Sequence, residues 1–308
     1  MLTHFEHFLS FVADNQLDTT LSRWERAGFL REWKLTRHEP GLENGFLNFT
    51  GSYLEFQSVW DLEKFKASTW EPHVKTHQKP RIVGAGAYTN NPVWIYALLR
   101  RVFPGMRPCY AKGSADDQKV FRWVFCSMPM AANPGLYVFG IKPLSSLEPP
   151  FQLKVGPNSI YGITGLLLCV KMPIVEASRR WTRVYRAIFK GYRPADDGFS
   201  NPVQFVRWIT PDRYLELFDE PWLEMDGNYY DTAALSLGAA EPATAYELMS
   251  KEGFRCRWIR KNEEFAVSRD SNTGYAFLVH RGDAEEYRKN INRLTKGWFQ
   301  SLFLRIWL

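Results

Sequence analysis

The sequence predicts an α+β fold in which one unit, a strand followed by a helix and three further strands, is used four times. Three observations carry this expectation. Short apolar strands recur, each followed by a helical stripe, and the best copy runs from Glu6-His7-Phe8-Leu9-Ser10-Phe11-Val12 to Ser52-Tyr53-Leu54-Glu55-Phe56. Glycines or Pro-Gly pairs stand near residues 28, 105, 191 and 253, and all but the second are followed at once by an aromatic residue. A Tyr-Leu-Glu tripeptide recurs at residues 53–55 and 214–216, where it would close units one and three. The period of such a repeat decides the architecture.

Unit one opens with a strand at residues 5–13. Asp14-Asn15 offers a helix N-cap. Leu17, Leu21 and Trp24 are spaced four and three apart and make one apolar stripe. Gly28 follows as a C′ glycine. Strands at about 30–36, 44–50 and 53–59 complete the unit. Unit two starts at Val83-Gly84-Ala85-Gly86-Ala87-Tyr88. Asn90-Asn91-Pro92 begins its helix, with proline in the first turn. Trp94, Ile95, Leu98, Leu99 and Val102 form the apolar face, Pro104-Gly105 stops it, and strands follow at about 120–126 and 136–142.

Residues 144–157 hold three prolines and two serines and read as a linker. Unit three starts at Gly165-Leu166-Leu167-Leu168-Cys169-Val170. Its helix begins at Pro173, carries Trp181, Val184, Tyr185 and Ile188, and ends at Gly191-Tyr192. Its closing strand is expected at Arg213-Tyr214-Leu215-Glu216-Leu217. Unit four runs from Ala233-Ala234-Leu235-Ser236-Leu237 through a helix opened by Glu241-Pro242 and ended by Gly253-Phe254, to Tyr275-Ala276-Phe277-Leu278-Val279. Beyond Gly282, Tyr287, Ile291, Leu294 and Trp298 mark an amphipathic helix. The expected organisation is a first domain at 1–143, a linker at 144–157, a second domain at 158–282 and a C-terminal helix at 283–308.

With 308 residues, 45% of them hydrophobic, the chain can build one large domain or two medium ones. The net charge of +6 is not gathered into a dense Lys/Arg run, so nucleic acid is not an expected partner. The four cysteines, at 109, 126, 169 and 256, lie far apart with no metal-type pairing or disulfide framework. That pattern fits a reducing, cytoplasmic setting. Glu6, His7 and Asp14 stand where a signal peptide would be apolar. The most apolar stretch, 163–175, is broken by Lys171 and Pro173 and is too short to span a bilayer. The apolar C-terminal end fits a helix docked on the body or on a second copy in a homodimer, or one lying on a membrane surface. The sequence has no Walker loop, dinucleotide glycine fingerprint, HExxH or Gly-x-Ser-x-Gly elbow.

Several of these residues, in order, resemble the vicinal oxygen chelate superfamily, and within it the glyoxalase-like proteins. The signs in unit one are His7, Gly28-Phe29, His38-Glu39-Pro40-Gly41, Asn44 and Tyr53-Leu54-Glu55. Arg122-Trp123, Pro134-Gly135-Leu136-Tyr137-Val138-Phe139 and Pro157-Asn158-Ser159-Ile160 continue the likeness. The resemblance implies that paired βαβββ units form two half-open, curved-sheet barrels. It also implies a metal-dependent lyase, isomerase or dioxygenase acting on a small molecule in the N-terminal barrel. The alternative it leaves open is a non-catalytic small-molecule binding protein, as in the antibiotic-resistance branch.

His7 and Glu55 make the sharpest constellation. Alternation puts His7, Leu9 and Phe11 on one strand face, and Tyr53, Glu55 and Gln57 on one face of the closing strand. A histidine nitrogen and a carboxylate suit Zn, Mn, Fe or Ni. Such a pair would hold a metal or move a proton, with Glu55 as general base. Two ligands rarely hold a metal, however. The strand at Val83-Gly84-Ala85 has no histidine and the strand at Leu136 to Ile141 no carboxylate, so a metal-free ligand site is equally expected. His38, Asn44, Tyr53, Arg122 and Trp123 are the expected substrate-binding residues. In the second half Glu216 would match Glu55 and the position near Gly165 would match His7, while Thr232 and Phe277 stand where unit four's ligands would be sought. A metal is not expected there. His4 falls on the face opposite His7, and His73, His77 and His280 read as surface.

Overall fold

The computed structural model describes residues 2–12, 16–31, 36–38, 41–67, 80–89, 91–102, 109–114, 122–127, 137–143, 151–179, 186, 189–223 and 230–296. Unit one comprises β1 (Phe5–Phe11), α1 (Leu17–Arg26), β2 (Thr36–His38), β3 (Leu42–Phe49) and β4 (Ser52–Val59). A short α2 (Leu62–Lys66) leads to unit two: β5 (Arg81–Tyr88), α3 (Pro92–Val102), β6 (Cys109–Ser114), β7 (Arg122–Ser127) and β8 (Tyr137–Pro143). Unit three has β9 (Ile160–Val170), helical residues 174–179, then β10 (Arg193–Ala195), β11 (Gly198–Ser200) and β12 (Phe205–Ile209). After α4 (Pro211–Phe218), unit four adds β13 (Tyr230–Ala239), α5 (Pro242–Lys251), β14 (Cys256–Arg260), β15 (Glu264–Val267) and β16 (Ala276–Arg281). The last element is α6 (Ala284–Lys296).

Two eight-stranded sheets result, ordered β2-β3-β4-β1-β5-β8-β7-β6 and β10-β11-β12-β9-β13-β16-β15-β14. In each, the first strands of two units pair antiparallel at the centre, and each also pairs parallel with the last strand of its own unit. The order is symmetric about that central pair, as two copies of one βαβββ unit require. Among the described residues the sheets do not close: β2 and β6, and β10 and β14, are the edges. The expected four-unit architecture of two half-open barrels with a C-terminal helix is the observed one.

Alternation decides what each strand buries. Phe8, Leu54, Phe56 and Ala85 join Leu166, Val206, Trp208 and Leu235 in one core that runs across both sheets. Trp24 of α1 lies at its centre, fully buried, with ring centroids 4.9 Å from Phe277 and 5.1 Å from Phe254. Gly28 ends α1 at φ +86°, and a Cβ there would meet the Asn158 backbone nitrogen at 2.7 Å, so glycine is needed twice over. Gln204 docks one sheet on the other by taking both backbone groups of Phe5: its Oε1 accepts from the Phe5 N–H at 2.6 Å and its amide donates to the Phe5 carbonyl at 3.0 Å.

The stripe of α6 is covered within the chain. Tyr287, Ile291 and Leu294 are buried. The Tyr287 ring lies on Gly162 and its hydroxyl donates to the Ile163 carbonyl at 2.9 Å. Asn292 bonds both backbone groups of Phe151. The apolar residues 297–308, on which a homodimer or membrane-surface role would rest, lie outside the described residues. So do the cap at Asp14-Asn15, the stop at Pro104-Gly105 and the stripe at Trp181, Val184, Tyr185 and Ile188. No described helix is long and apolar enough to cross a membrane.

One expected strand is a helix. Arg213-Tyr214-Leu215-Glu216-Leu217 belongs to α4, and unit three is closed instead by β12. The reason is local. The Thr210 hydroxyl accepts from the Arg213 N–H at 3.2 Å, Pro211 sits in the first turn, and Tyr214, Leu217 and Phe218 are buried at helical spacing. The second Tyr-Leu-Glu is therefore not the counterpart of the first. Glu216 is exposed and paired with Arg213 at 2.6 Å.

Candidate functional site

The face of the N-terminal sheet turned away from the shared core carries the predicted constellation. His7 stands opposite Tyr53 in the parallel β1–β4 ladder, and Leu9 opposite Glu55. Across β3, Asn44 faces Gln57 and Phe46 faces Glu55. Leu9, Phe11, Phe65, Phe139 and Ile141 cluster as the apolar part of this face, with Phe65 supplied by α2. Asn44 and Gln57 are buried, and Tyr53, Glu55 and Phe46 are half-buried.

His7 is held as a neutral ring. It stacks on Tyr53 with centroids 4.7 Å apart and planes 7° from parallel, and meets the edge of Phe139 at 5.1 Å. Burial pulls its pKa down to about 3. Its Nδ1 is buried with no hydrogen-bond partner among the described residues. The ring lies on Gly86, where a Cβ would stand 2.3 Å from Cε1. Only glycine at 86 leaves room for His7 in this pose.

Glu55 is placed differently. Asn44 Nδ2 and Gln57 Nε2 both donate to Oε1, the latter at 2.9 Å. Oε2 has no partner among the described residues. The carboxyl is partly open to solvent yet densely surrounded, and that burial pushes its pKa up to about 7, against a smaller lowering from the Gln57 bond. A carboxyl fixed through one oxygen, with the other available and a pKa near neutrality, can give or take a proton at physiological pH.

Sequence reasoning missed Glu6. The β1–β5 register slips between Phe5 and His7, so Glu6 occupies a bulge. It is 3% exposed, its Oε2 has no described partner, and burial raises its pKa to about 8. Its charge and that of Glu55 both add to the burial that pushes the Tyr53 hydroxyl well above its usual range. Two carboxyls thus flank one tyrosine. An isolated sequence could not reveal this, since plain alternation would turn Glu6 to the other face.

The other predicted residues divide. Asn44 and Tyr53 join the site through Glu55 and His7. His38, on the edge strand β2, pairs with Leu42 of β3, and Arg122 and Trp123, on β7, pair with Ser114 and Gly113 of β6, but the side chains of His38, Arg122 and Trp123 lie outside the described residues. His4 is buried away from the pair. Its Nε2 meets the Gly51 carbonyl at 2.9 Å, and burial lowers its pKa to about 4. His73 and His77 lie outside the described residues.

The fit of a divalent metal follows from the ladder. In the central ladder His7 faces Gly86, which pairs with Phe139 two residues before Ile141. The matching bulges, Glu6 on β1 and Val83 on β5, make Gly84 the unit-two equivalent of His7 and Phe139 that of Glu55. Neither can coordinate. Among the described residues no third His, Cys, Asp or Glu joins the two donors. The described residues alone do not make a metal-binding set, since protein sites for these metals use three or four ligands, and the side chain of His38 lies outside them.

In the C-terminal sheet the same registers give Gly165 for His7, Arg207 for Glu55, Ser236 for Gly86 and His280 for Ile141. The expected correspondences of Glu216 with Glu55, and of Thr232 and Phe277 with unit four's ligands, are replaced by these. His280, read as surface, is half-buried on this face and bonded to Thr164 at 2.8 Å. Its position alternates with buried Phe277 and Val279, which is the signal that could have found it.

No family model and no curated protein matches the chain. Solved structures do. A hypothetical protein from Staphylococcus aureus superposes with a TM-score of 0.58 at 12% identity, covering 92% of this chain and all of that one. The 2,2',3-trihydroxybiphenyl 1,2-dioxygenase of Sphingomonas wittichii strain RW1 gives 0.51 at 13% identity, over 92% of this chain and 91% of that one. A xylose isomerase-like TIM barrel/4-hydroxyphenylpyruvate dioxygenase fusion protein gives 0.54 at 11% identity, and 91% of this chain covers 49% of it. With its four βαβββ units paired about two central antiparallel ladders, the chain has the vicinal oxygen chelate fold.

Proposed function

We propose that the N-terminal half-barrel binds a small polar or aromatic molecule and exchanges a proton with it through Glu55. The observation that carries this reading is the Glu55 carboxyl itself: Oε1 tied down by two amides, Oε2 available, pKa near 7. His7 supports it as a neutral ring whose Nδ1, without a partner among the described residues, can exchange a hydrogen bond. The stacked His7–Tyr53 pair and the half-buried Phe46 give a flat ligand a wall. Reaction classes consistent with such a group are isomerisation and elimination by proton transfer. The dioxygenase activity named for two structural neighbours belongs to those proteins, which at 13% and 11% identity support only the scaffold.

Catechol, which carries two neighbouring oxygens, is a suitable probe. An ionised Glu55 accepts from its hydroxyl more strongly than a neutral acid does, so affinity should rise about tenfold as pH is raised through 7. In Glu55→Gln the rise should disappear. Calorimetric titration at several pH values checks this, and equal pH profiles for both proteins would overturn the reading. Metal analysis of the same samples after soaking in Zn, Mn, Fe and Ni salts tests the rival: about one equivalent retained, and lost in Glu55→Gln, would restore a chelate site.

A further inference from the structure

We propose that the C-terminal half-barrel holds a second ligand site of different chemistry, which takes a small monocarboxylate with a flat apolar body. Two adjoining clefts, of about 350 and 450 Å³, open on this face and share Phe205 and His280 in their linings. They lie where the registers place the four counterparts of the N-terminal site. Three of those counterparts carry functional groups here, a guanidinium, a hydroxyl and an imidazole, and none is a carboxylate.

The floor is aromatic. The Phe205 ring lies on Gly165, where a Cβ would stand 2.5 Å from ring atoms, and Phe205 is half-buried. Arg207 stands over the same ring at 5.5 Å. Its Nε meets Asp197 at 3.2 Å and its Nη1 donates to the Phe199 carbonyl at 3.4 Å. Nη2 has no partner among the described residues. Beside it runs a chain of hydrogen-bonded groups: His280 Nε2 to Thr164 Oγ1 at 2.8 Å, and Thr164 Oγ1 to Ser236 Oγ at 3.1 Å. His280 Nδ1 lies 3.1 Å from the Arg281 carbonyl, which fixes the ring. Thr164 reaches this face because the β9–β13 register slips beside it, as the β1–β5 register does at Glu6. A planar cation over a stacking surface, with hydroxyl and imidazole groups alongside, recognises a carboxylate on a flat body.

The negative groups limit the charge such a ligand can carry. Asp283 and Glu286, at the start of α6, line the first cleft. Their charges add to the burial that pushes the Tyr161 hydroxyl up to about 12. Glu263 and Glu264 line the second, each paired with Arg260, at 3.3 and 3.2 Å. A second negative charge on the ligand would meet these groups, so a monocarboxylate is favoured over a dicarboxylate.

Benzoate, benzamide and phthalate separate these elements when titrated into the full chain and followed by NMR. Benzoate should bind saturably, and benzamide and phthalate more weakly. Arg207→Gln should weaken benzoate by about tenfold or more, and Arg207→Lys should keep part of the affinity. Glu55→Gln should leave benzoate binding unchanged, which keeps this site distinct from the N-terminal one. Benzoate binding that survives Arg207→Gln, or that is lost in Glu55→Gln instead, would overturn the proposal, as would no saturable binding. Should Arg207→Gln fail to fold, Arg207→Lys decides, because its charge retains the surface pairing: affinity equal to that of the native chain would overturn a contact made through Nη2.

Discussion

The two half-barrels share a scaffold and differ at four equivalent positions. His7, Glu55, Gly86 and Ile141 in the first become Gly165, Arg207, Ser236 and His280 in the second. The core counterparts stay apolar: Phe8 and Leu166, Leu54 and Val206, Phe56 and Trp208, Ala85 and Leu235 all lie in the shared cluster. The ladder fixes where a site can form, and the side chains on its free face decide the chemistry there. An acid and a neutral imidazole occupy one copy, and a guanidinium and hydroxyls the other.

The largest expected difference between the halves is in their response to pH. The bulge residue is Glu6 in one and Thr164 in the other, and only Glu6 titrates. Its pKa is about 8 in the folded chain against an ordinary 4.5. Between these values the folded state keeps a proton that the unfolded state releases. Stability is therefore greatest below pH 4.5 as far as Glu6 is concerned, and falls as pH rises to about 8, by on the order of 5 kcal/mol. His7 and His4 act in the opposite sense. Their folded pKa values of about 3 and 4 lie below the ordinary 6.5, so their contribution is full above 6.5 and is lost as pH falls. Urea unfolding at several pH values should show a maximum between the two limbs. Glu55, with its folded pKa of about 7, acts in the same sense as Glu6, so in Glu6→Gln the alkaline limb should become shallower and end near pH 7 rather than 8. An unchanged alkaline limb would mean that Glu6 is not the group responsible.

The next contrast lies under the rings. A Cβ at Gly86 would stand 2.3 Å from His7, and one at Gly165 would stand 2.5 Å from Phe205. The distances are alike but the neighbours are not. His7 is 2% exposed and clamped between Tyr53 and Phe139, whereas Phe205 borders two open clefts. Gly86→Ala should cost about 3 kcal/mol, as overpacking in a closed site does. Gly165→Ala should cost less than about 1 kcal/mol, because Phe205 can swing toward solvent. Denaturant midpoints for the two variants check this. Equal losses would show that the N-terminal site is as open as the C-terminal one.

How much of this was legible follows from what each signal measures. Alternation gave the strands, because one face of every strand feeds a common core, as Phe8 and Leu54 do. Gly28 and Gly253 marked helix ends because the chain turns there at φ +86° and +78°. His7 and Glu55 were found together because each lies at the same phase of its own strand. Glu6 and Thr164 could not be found this way, since a one-residue slip in register reverses phase and leaves no mark in composition. The placement of Arg207 and His280 around one cleft was hidden for a related reason. Their equivalence to Glu55 and Ile141 exists only through the ladder, and the repeated Tyr-Leu-Glu pointed elsewhere.

That misleading tripeptide supplies the smallest expected effect. Glu55 and Glu216 follow the same Tyr-Leu pair, but one is on a central ladder and the other on an exposed helical face. Tyr214 shows the difference: it is buried and donates from its hydroxyl to Glu220 at 3.0 Å, whereas Tyr53 stacks on His7. The Glu216 carboxylate pairs with Arg213 three residues back, at 2.6 Å with both side chains more than half exposed. Exposed pairs of this kind contribute about 0–1 kcal/mol. Glu216→Gln should thus shift stability by less than about 0.5 kcal/mol and leave catechol and benzoate binding unchanged. Thermal unfolding and the two titrations are sufficient to check it. Since the tripeptides are identical, a neutral Glu216→Gln beside a disabling Glu55→Gln would locate the function in the strand register rather than in the motif. A Glu216→Gln that weakened either ligand would return α4 to the binding face.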